Sequence, residues 1–184
     1  GITGSLASGK TTASKILSSK RGPLFSADKA VKELYKNKHF RFLVSRRFKI
    51  KTNSQLKKSL KKMILKNKDN IKKLEKMIHP LVRKKMKNFT LQNKNKKLLF
   101  YEIPLLVESK LMKHFNVVVF IKAKKQLRFT RFQSKNGGKK LFNLLNNKQM
   151  NDVKKIKFCD HVVVNEKNLN ILKKKLLVII NKYE

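Results

Sequence analysis

"GSLASGKTT", Gly4 to Thr12, is the stretch whose reading decides the fold of this 184-residue chain. It fits the template of a glycine, four free positions, a second glycine, a lysine and a hydroxyl residue, at Gly4, Ser5, Leu6, Ala7, Ser8, Gly9, Lys10 and Thr11, with Thr12 continuing it. Small residues in such a loop let successive backbone N–H groups curl around a phosphate, while the following helix turns its positive end to the same anion. Lys10 is then positioned to reach the β- and γ-oxygens of a nucleoside triphosphate, and Thr11 to offer its hydroxyl to Mg²⁺. A strand must enter the loop and a helix must leave it. Thr11 to Lys20 puts Ala13, Ile16 and Leu17 on one helical face, and Arg21-Gly22-Pro23 stops that helix. Only Gly1-Ile2-Thr3 precede Gly4, against the roughly five residues of a typical strand. With no initiator methionine at position 1, we expect a few native residues to precede Gly1.

The chain is long enough to bury a substantial core as one compact unit with a small appended subdomain. Hydrophobic residues make up 40%, and runs such as "VVVFI" argue against a disordered basic tail. No apolar stretch approaches the roughly 18 residues of a membrane span, and no signal peptide is visible, so the expectation is a soluble, cytoplasmic protein without a membrane partner. Cys159 is the only cysteine, which excludes an internal disulfide and a cysteine-based zinc site. The formal charge is +38. Most lysines, as in "LKKSLKKMILKNKDNIKKLEK", alternate with Ile, Leu and Met at helical spacing and fit the solvated faces of amphipathic helices. Arginine clusters, stacking aromatics and a nucleic-acid module are lacking, so no specific nucleic-acid partner is expected. Non-specific binding at low salt would follow from the charge alone.

Beyond the loop, "GPLFSAD" reads as a short strand delivering Asp28 at its carboxyl end, the edge where open α/β sheets bind ligands. Lys29 to about Gln92 reads as helical, with "AVKELY", "FRFLVSRRF" and "QLKKSLKKMIL" as separate apolar stripes. "KLLFYEIPLLVE" and "FNVVVFI" lack polar alternation, as parallel strands covered on both faces do. Lys124 to Asn151 is helical again, interrupted by "SKNGGKK", whose Gly137-Gly138 permits a hinge and suits a mobile lid. "DHVVVN" is a last strand, and "LNILKKKLLVIINKY" a closing helix with Ile171, Leu172, Leu176, Ile179 and Ile180 on its buried side. Strands alternating with helices specify a parallel α/β sheet.

Taken in order, "GSLASGKTT", "SADKA", "HPLV", "EIPLLVE" and "CDHVVVN" resemble the dephospho-coenzyme A kinases over almost the whole chain. The resemblance implies a P-loop kinase-like α/β fold: a parallel sheet flanked by helices, with a helical substrate-binding insertion and a small helical lid. Its domains would be a nucleotide-binding core of residues 1–28, 94–124 and 152–184, an acceptor-binding insertion of 29–93 and a lid of 125–151. The activity implied is transfer of the γ-phosphoryl of ATP, with Mg²⁺, to the ribose 3′-hydroxyl of dephospho-coenzyme A, giving coenzyme A and ADP. Small molecules would be the only partners, and the chain would act as a monomer.

By position, the resemblance makes Asp28 the acceptor of the 3′-hydroxyl proton. Ser26 stands where the family has a further Asp. An N-cap role before "KAVKELY" is the alternative for Asp28. His79 and Pro80 match the family's acceptor-binding pair, and Glu102 stands where a carboxylate orients Mg²⁺ through water, though many relatives have Asp there. In the lid the family carries two arginines a helical turn apart. A direct alignment puts Phe129 and Gln133 at those places, while a shifted register uses Arg131, the candidate phosphoryl-neutralising cation, with Lys135. Gln149 matches a family glutamine, whereas Leu145 stands where an arginine is usual, and Asn165 falls where the family lines the adenine pocket. Two other classes compete: a nucleoside monophosphate kinase, which ordinarily has a "DGFPR"-like strand end where this chain has "EIPLLVE", and a basic nucleic-acid-binding protein with an incidental phosphate loop.

Overall fold

Three residues suffice for the strand that enters the phosphate loop, because it is flanked on both sides. In the computed structural model, which describes residues 1–67 and 69–184, Ile2–Gly4 forms β1. Phe100–Glu102 (β3) pairs with it on one edge and Val119–Lys122 (β4) on the other. Leu24–Ser26 (β2) pairs with β3, and His161–Val164 (β5) with β4. Every pairing is parallel, and the order is β2-β3-β1-β4-β5. The chain leaves β1 for β2, two places away, and later returns to β4 on the opposite side. That reversal makes the carboxyl end of β1 the topological switch point, where the crevice of an open α/β sheet forms.

Lys10–Ser18 (α1) buries Ala13 and Leu17, and Leu169–Ile180 (α9) buries Leu172, Leu176 and Ile180. Together they cover Ile2, Phe100, Val119, Ile121 and Val163 of the sheet. Ile171 and Ile179 are only half-buried, so the buried stripe of α9 is narrower than its sequence suggested. Lys125–Gln133 (α6) and Lys139–Lys148 (α7) lie on either side of the Ser134–Gly138 interruption. A short helix, Asp152–Ile156 (α8), follows and was not expected from the sequence; its N-cap Asn151 accepts from Val153 N at 2.8 Å.

The chain divides into two compact units, Gly1–Ser26 with Asn93–Glu184, and Ala27–Gln92. The second is helical throughout its regular structure: Ala27–Leu34 (α2), Lys38–Phe48 (α3), Leu56–Lys66 (α4) and Asp69–Gln92 (α5). Its own core joins Leu34, Phe40, Val44, Phe48, Leu56, Leu60 and Ile78. This unit begins at Ala27, where α2 starts directly after β2, so Asp28 belongs to it and not to the sheet unit. Helix α5 continues through Pro80 although that residue has no N–H for the carbonyl of Lys76.

The two faces of α9 differ enough to test. Leu176 is fully buried and Val178 is 65% exposed. Leu176→Ala should lower the unfolding free energy by about 2–5 kcal/mol, whereas Val178→Ala should change it by less than about 0.5 kcal/mol. Urea denaturation of the two full-length variants measures both.

Candidate active site

The loop between β1 and α1 is built where side chains do not fit. Gly4 has φ +148° and Gly9 φ +96°, and Ala7 between them is left-handed at φ 59°. A Cβ on Gly4 would run into the Ile121 carbonyl of β4, and one on Gly9 into the amide of Asn165. Gly9 is also the N-cap of α1, with no side-chain cap and no acidic residue in the first helical turn. The orphan N–H groups of that turn are left for an anion. Inside the loop Ser8 Oγ is buried and, among the described residues, finds no hydrogen-bond partner. A phosphate fits these features: uncapped donors, a positive helix end and a hydroxyl in search of an acceptor.

Lys10 is buried, and its Nζ donates to the Ser5 carbonyl at 2.8 Å across the loop. Next to it in sequence, Thr11 Oγ1 donates to Glu102 Oε1 at 2.5 Å. Glu102 is the last residue of β3 and is 1% exposed, so the sheet fixes its carboxylate at the start of α1. The two residues expected at the metal are thus in contact. A hydroxyl and a carboxylate are hard oxygen donors, and a Mg²⁺ ion uses few protein ligands, filling its octahedron with water and phosphate oxygens. The pair fits Mg²⁺.

Behind the loop, a second set of side chains holds its carbonyls. Ser8 O accepts from Asn165 Nδ2 at 2.9 Å and from Arg131 at 3.4 Å, while Arg131 also donates to Asn165 O at 3.1 Å. In a trans peptide the C=O and the next N–H point in opposite directions. Holding Ser8 O from one side therefore turns Gly9 N–H to the other. Arg128 is buried on α6 and donates to Ala123 O, Leu6 O and Asn146 Oδ1 at 3.1, 3.3 and 2.8 Å. Burial draws its pKa below the ordinary value, with the nearby charge of Asp152 pulling the other way. Ser5 Oγ donates to Asp152, and Leu6 N to Gln149 Oε1 at 2.7 Å.

The sheet unit thus gathers Gly4 to Thr12, Glu102, Arg131 and Asn165 at one edge. Asn165 does so with its amide committed to the loop, and Arg131 with two of its five N–H donors used on backbone carbonyls. The remaining expected residues lie in the helical unit. Asp28 is exposed in the first turn of α2, inside the helix and not at its N-cap, where its charge complements the helix dipole. His79 is half-buried and Pro80 exposed on α5.

Sequence reading assigned no role in the site to Asp152, Asn146, Lys155 or Glu108. Lys155 Nζ lies 2.7 Å from Glu108 Oε1 with its side chain fully buried, and Glu108 also accepts from Met150 N at 3.0 Å. No local pattern marks Lys155, and among 48 basic residues one buried lysine leaves no compositional trace.

The chain is similar to known proteins over most of its length. The family model for dephospho-CoA kinase matches residues 1–170. A dephospho-CoA kinase of Bartonella henselae is 32% identical over 98% of this chain and 95% of its own. One of Rickettsia prowazekii is 38% identical over 71% and 68%. Among solved structures, a Thermus thermophilus protein superposes with a TM-score of 0.79 at 24% identity over 100% of this chain and 96% of its own, which speaks to the fold. The dephospho-CoA kinase of Campylobacter jejuni gives 0.66 at 27% identity over 98% and 94%.

The Thr11–Glu102 contact generates a measurable expectation. Glu102→Gln keeps the shape and removes the negative charge. The Mg²⁺ concentration for half-maximal activity should rise by about 10- to 100-fold, the usual scale for losing a group that orients a metal site. A Mg²⁺ titration at saturating nucleotide measures it, and an unchanged midpoint would remove Glu102 from the metal site.

Proposed function

Since this chain belongs to the dephospho-CoA kinase family, we propose that it transfers the γ-phosphoryl of ATP to the ribose 3′-hydroxyl of dephospho-coenzyme A, the final step of coenzyme A synthesis. The observation that carries the reading is the uncapped phosphate loop with Lys10, Thr11 and Glu102 gathered at the switch point of the sheet. The family supplies the acceptor.

Phosphoryl transfer needs little covalent help from a protein; catalysis is positioning and charge neutralisation. The 3′-oxygen bonds to the γ-phosphorus as the bond to the β-bridging oxygen breaks, and ADP leaves. We assign the loop N–H groups and Lys10 to the β- and γ-oxygens, where negative charge grows on the bridge. Mg²⁺, held through Thr11 and Glu102, would neutralise the phosphate oxygens. Arg131 still has donors free for the transferring group, and its contact with Ser8 O keeps it at the loop.

Asp28 is the proposed acceptor of the 3′-hydroxyl proton, supported by its match to the family's acidic position, its exposure and its place two residues beyond β2. His79 and Pro80 are proposed to hold the acceptor and Asn165 to line the adenine pocket, on the family pattern alone. We also propose the organisation into a core, an acceptor-binding insertion and a lid of residues 125–151. The enzyme is read as a cytoplasmic monomer acting on small molecules. Among the described residues no helix is long and apolar enough to cross a membrane.

A coupled assay with dephospho-coenzyme A, AMP or no acceptor tests the reading; turnover with AMP alone would move the chain to the nucleoside monophosphate kinases. Lys10→Ala should lower turnover by about two or more decades with folding unchanged. Asp28→Asn leaves the side-chain volume and helix in place but removes the proton-accepting charge. Transfer should fall about 10²-fold or more while ATP still binds. Normal transfer by that variant would relocate the base.

A further inference from the structure

Both ends of the segment read as a lid converge on one residue of the phosphate loop. Gln149, just past α7, accepts the N–H of Leu6 at 2.7 Å, and Arg128, in α6, donates to the C=O of the same residue at 3.3 Å. Arg128 Nη1 also donates to Asn146 Oδ1 on α7 at 2.8 Å, so the two ends are joined to each other as well as to the loop.

These contacts fix the peptide planes on either side of Leu6. The plane before it has its N–H on Gln149 and its Ser5 carbonyl on Ser8 N at 3.1 Å and Lys10 Nζ at 2.8 Å. The plane after it has its carbonyl on Arg128, which sends Ala7 N–H in the opposite direction. Leu6 N–H is thereby engaged outside any phosphate, and the left-handed turn at Ala7 follows directly. Gln149 is itself held. Met150 N, the next amide, donates to Glu108, whose other partner is the fully buried Lys155. Asp152 two residues further on takes the Ser5 hydroxyl.

We propose that Gln149 is a positioning residue that, with Arg128, sets the register of the phosphate loop through the Leu6 peptide, so that nucleotide affinity depends on the segment closing the lid. The proposal rests on the assignment of Gly4 to Thr12 as the nucleotide site but not on the identity of the acceptor.

The test compares Gln149→Met, which fills similar volume without an acceptor, with Gln149→Glu, which keeps an oxygen for Leu6 N–H. ADP affinity is read by calorimetry and integrity by urea midpoint. Gln149→Met should bind ADP about ten-fold more weakly, the scale of one lost hydrogen bond, with Gln149→Glu within about three-fold of wild type. Equal affinity in all three chains, or equal loss in both variants, overturns the proposal. Should the Met variant not fold, hydrogen exchange at the Leu6 amide of the wild-type chain decides. Protection supports the contact, and exchange at the free-peptide rate overturns it. Wild-type ADP binding without transfer to dephospho-coenzyme A would sink the functional reading and leave these outcomes intact.

Discussion

A steric exclusion at two backbone positions governs the loop at the edge of the sheet unit. At Gly4 the neighbouring strand comes so close that any Cβ would meet the Ile121 carbonyl, and at Gly9 the Asn165 amide occupies the same space. Both glycines have positive φ, which other residues adopt only at a cost. Because the turn is closed there, the chain can pass from the central strand into α1 with its first N–H groups uncapped. What an anion would find is a donor array fixed before it arrives, the condition under which electrostatic stabilisation costs no reorganisation.

Carbonyls of the same loop are held from behind, and this is where the strongly basic composition matters. Ten acidic residues face 48 basic ones. In the sheet unit five of the six acids are committed to donors on the sheet, the loop or the segments beside them: Glu102 to the Thr11 hydroxyl, Glu108 to Met150 N and Lys155, Asp152 to the Ser5 hydroxyl, Asp160 to Val118 N and Glu166 to Lys124 N. Three of these five pin the loop or the segment that braces it. The buried Lys155–Glu108 pair offsets its desolvation only through close geometry, so its contribution is to location more than to net stability. Most lysines remain on exposed helix faces, where they set a long-range positive field without marking any site.

Much of this was legible in the residue order. The loop template, the unbroken apolar runs of β3 and β4, and the heptad-like stripes of the helical insertion are local signals, set by period and by which residues tolerate positive φ. They specified a parallel α/β sheet with a helical insertion, and the family resemblance added Glu102, Arg131 and Asn165 as residues of the same edge. The Asp28 N-cap and the full buried stripe of α9 were each one local rule short. In both, the helix boundary or the burial is set by packing against other elements, which overrides a weak local preference.

By itself, then, the sequence determined the phosphate loop, because its glycines and its lysine act within nine adjacent residues, and it determined the alternation of strands with helices. Only the tertiary structure decided that β1 lies between β3 and β4, that Glu102 meets Thr11 across 91 positions, and that Gln149 and Asp152 reach back 143 and 147 positions to the loop. Periodicity carries no information about such distant pairings. The resemblance marks Gln149 as a family glutamine without giving it a task; that it orients a peptide plane rests on a 2.7 Å contact that exists once the sheet has brought distant segments of the chain together.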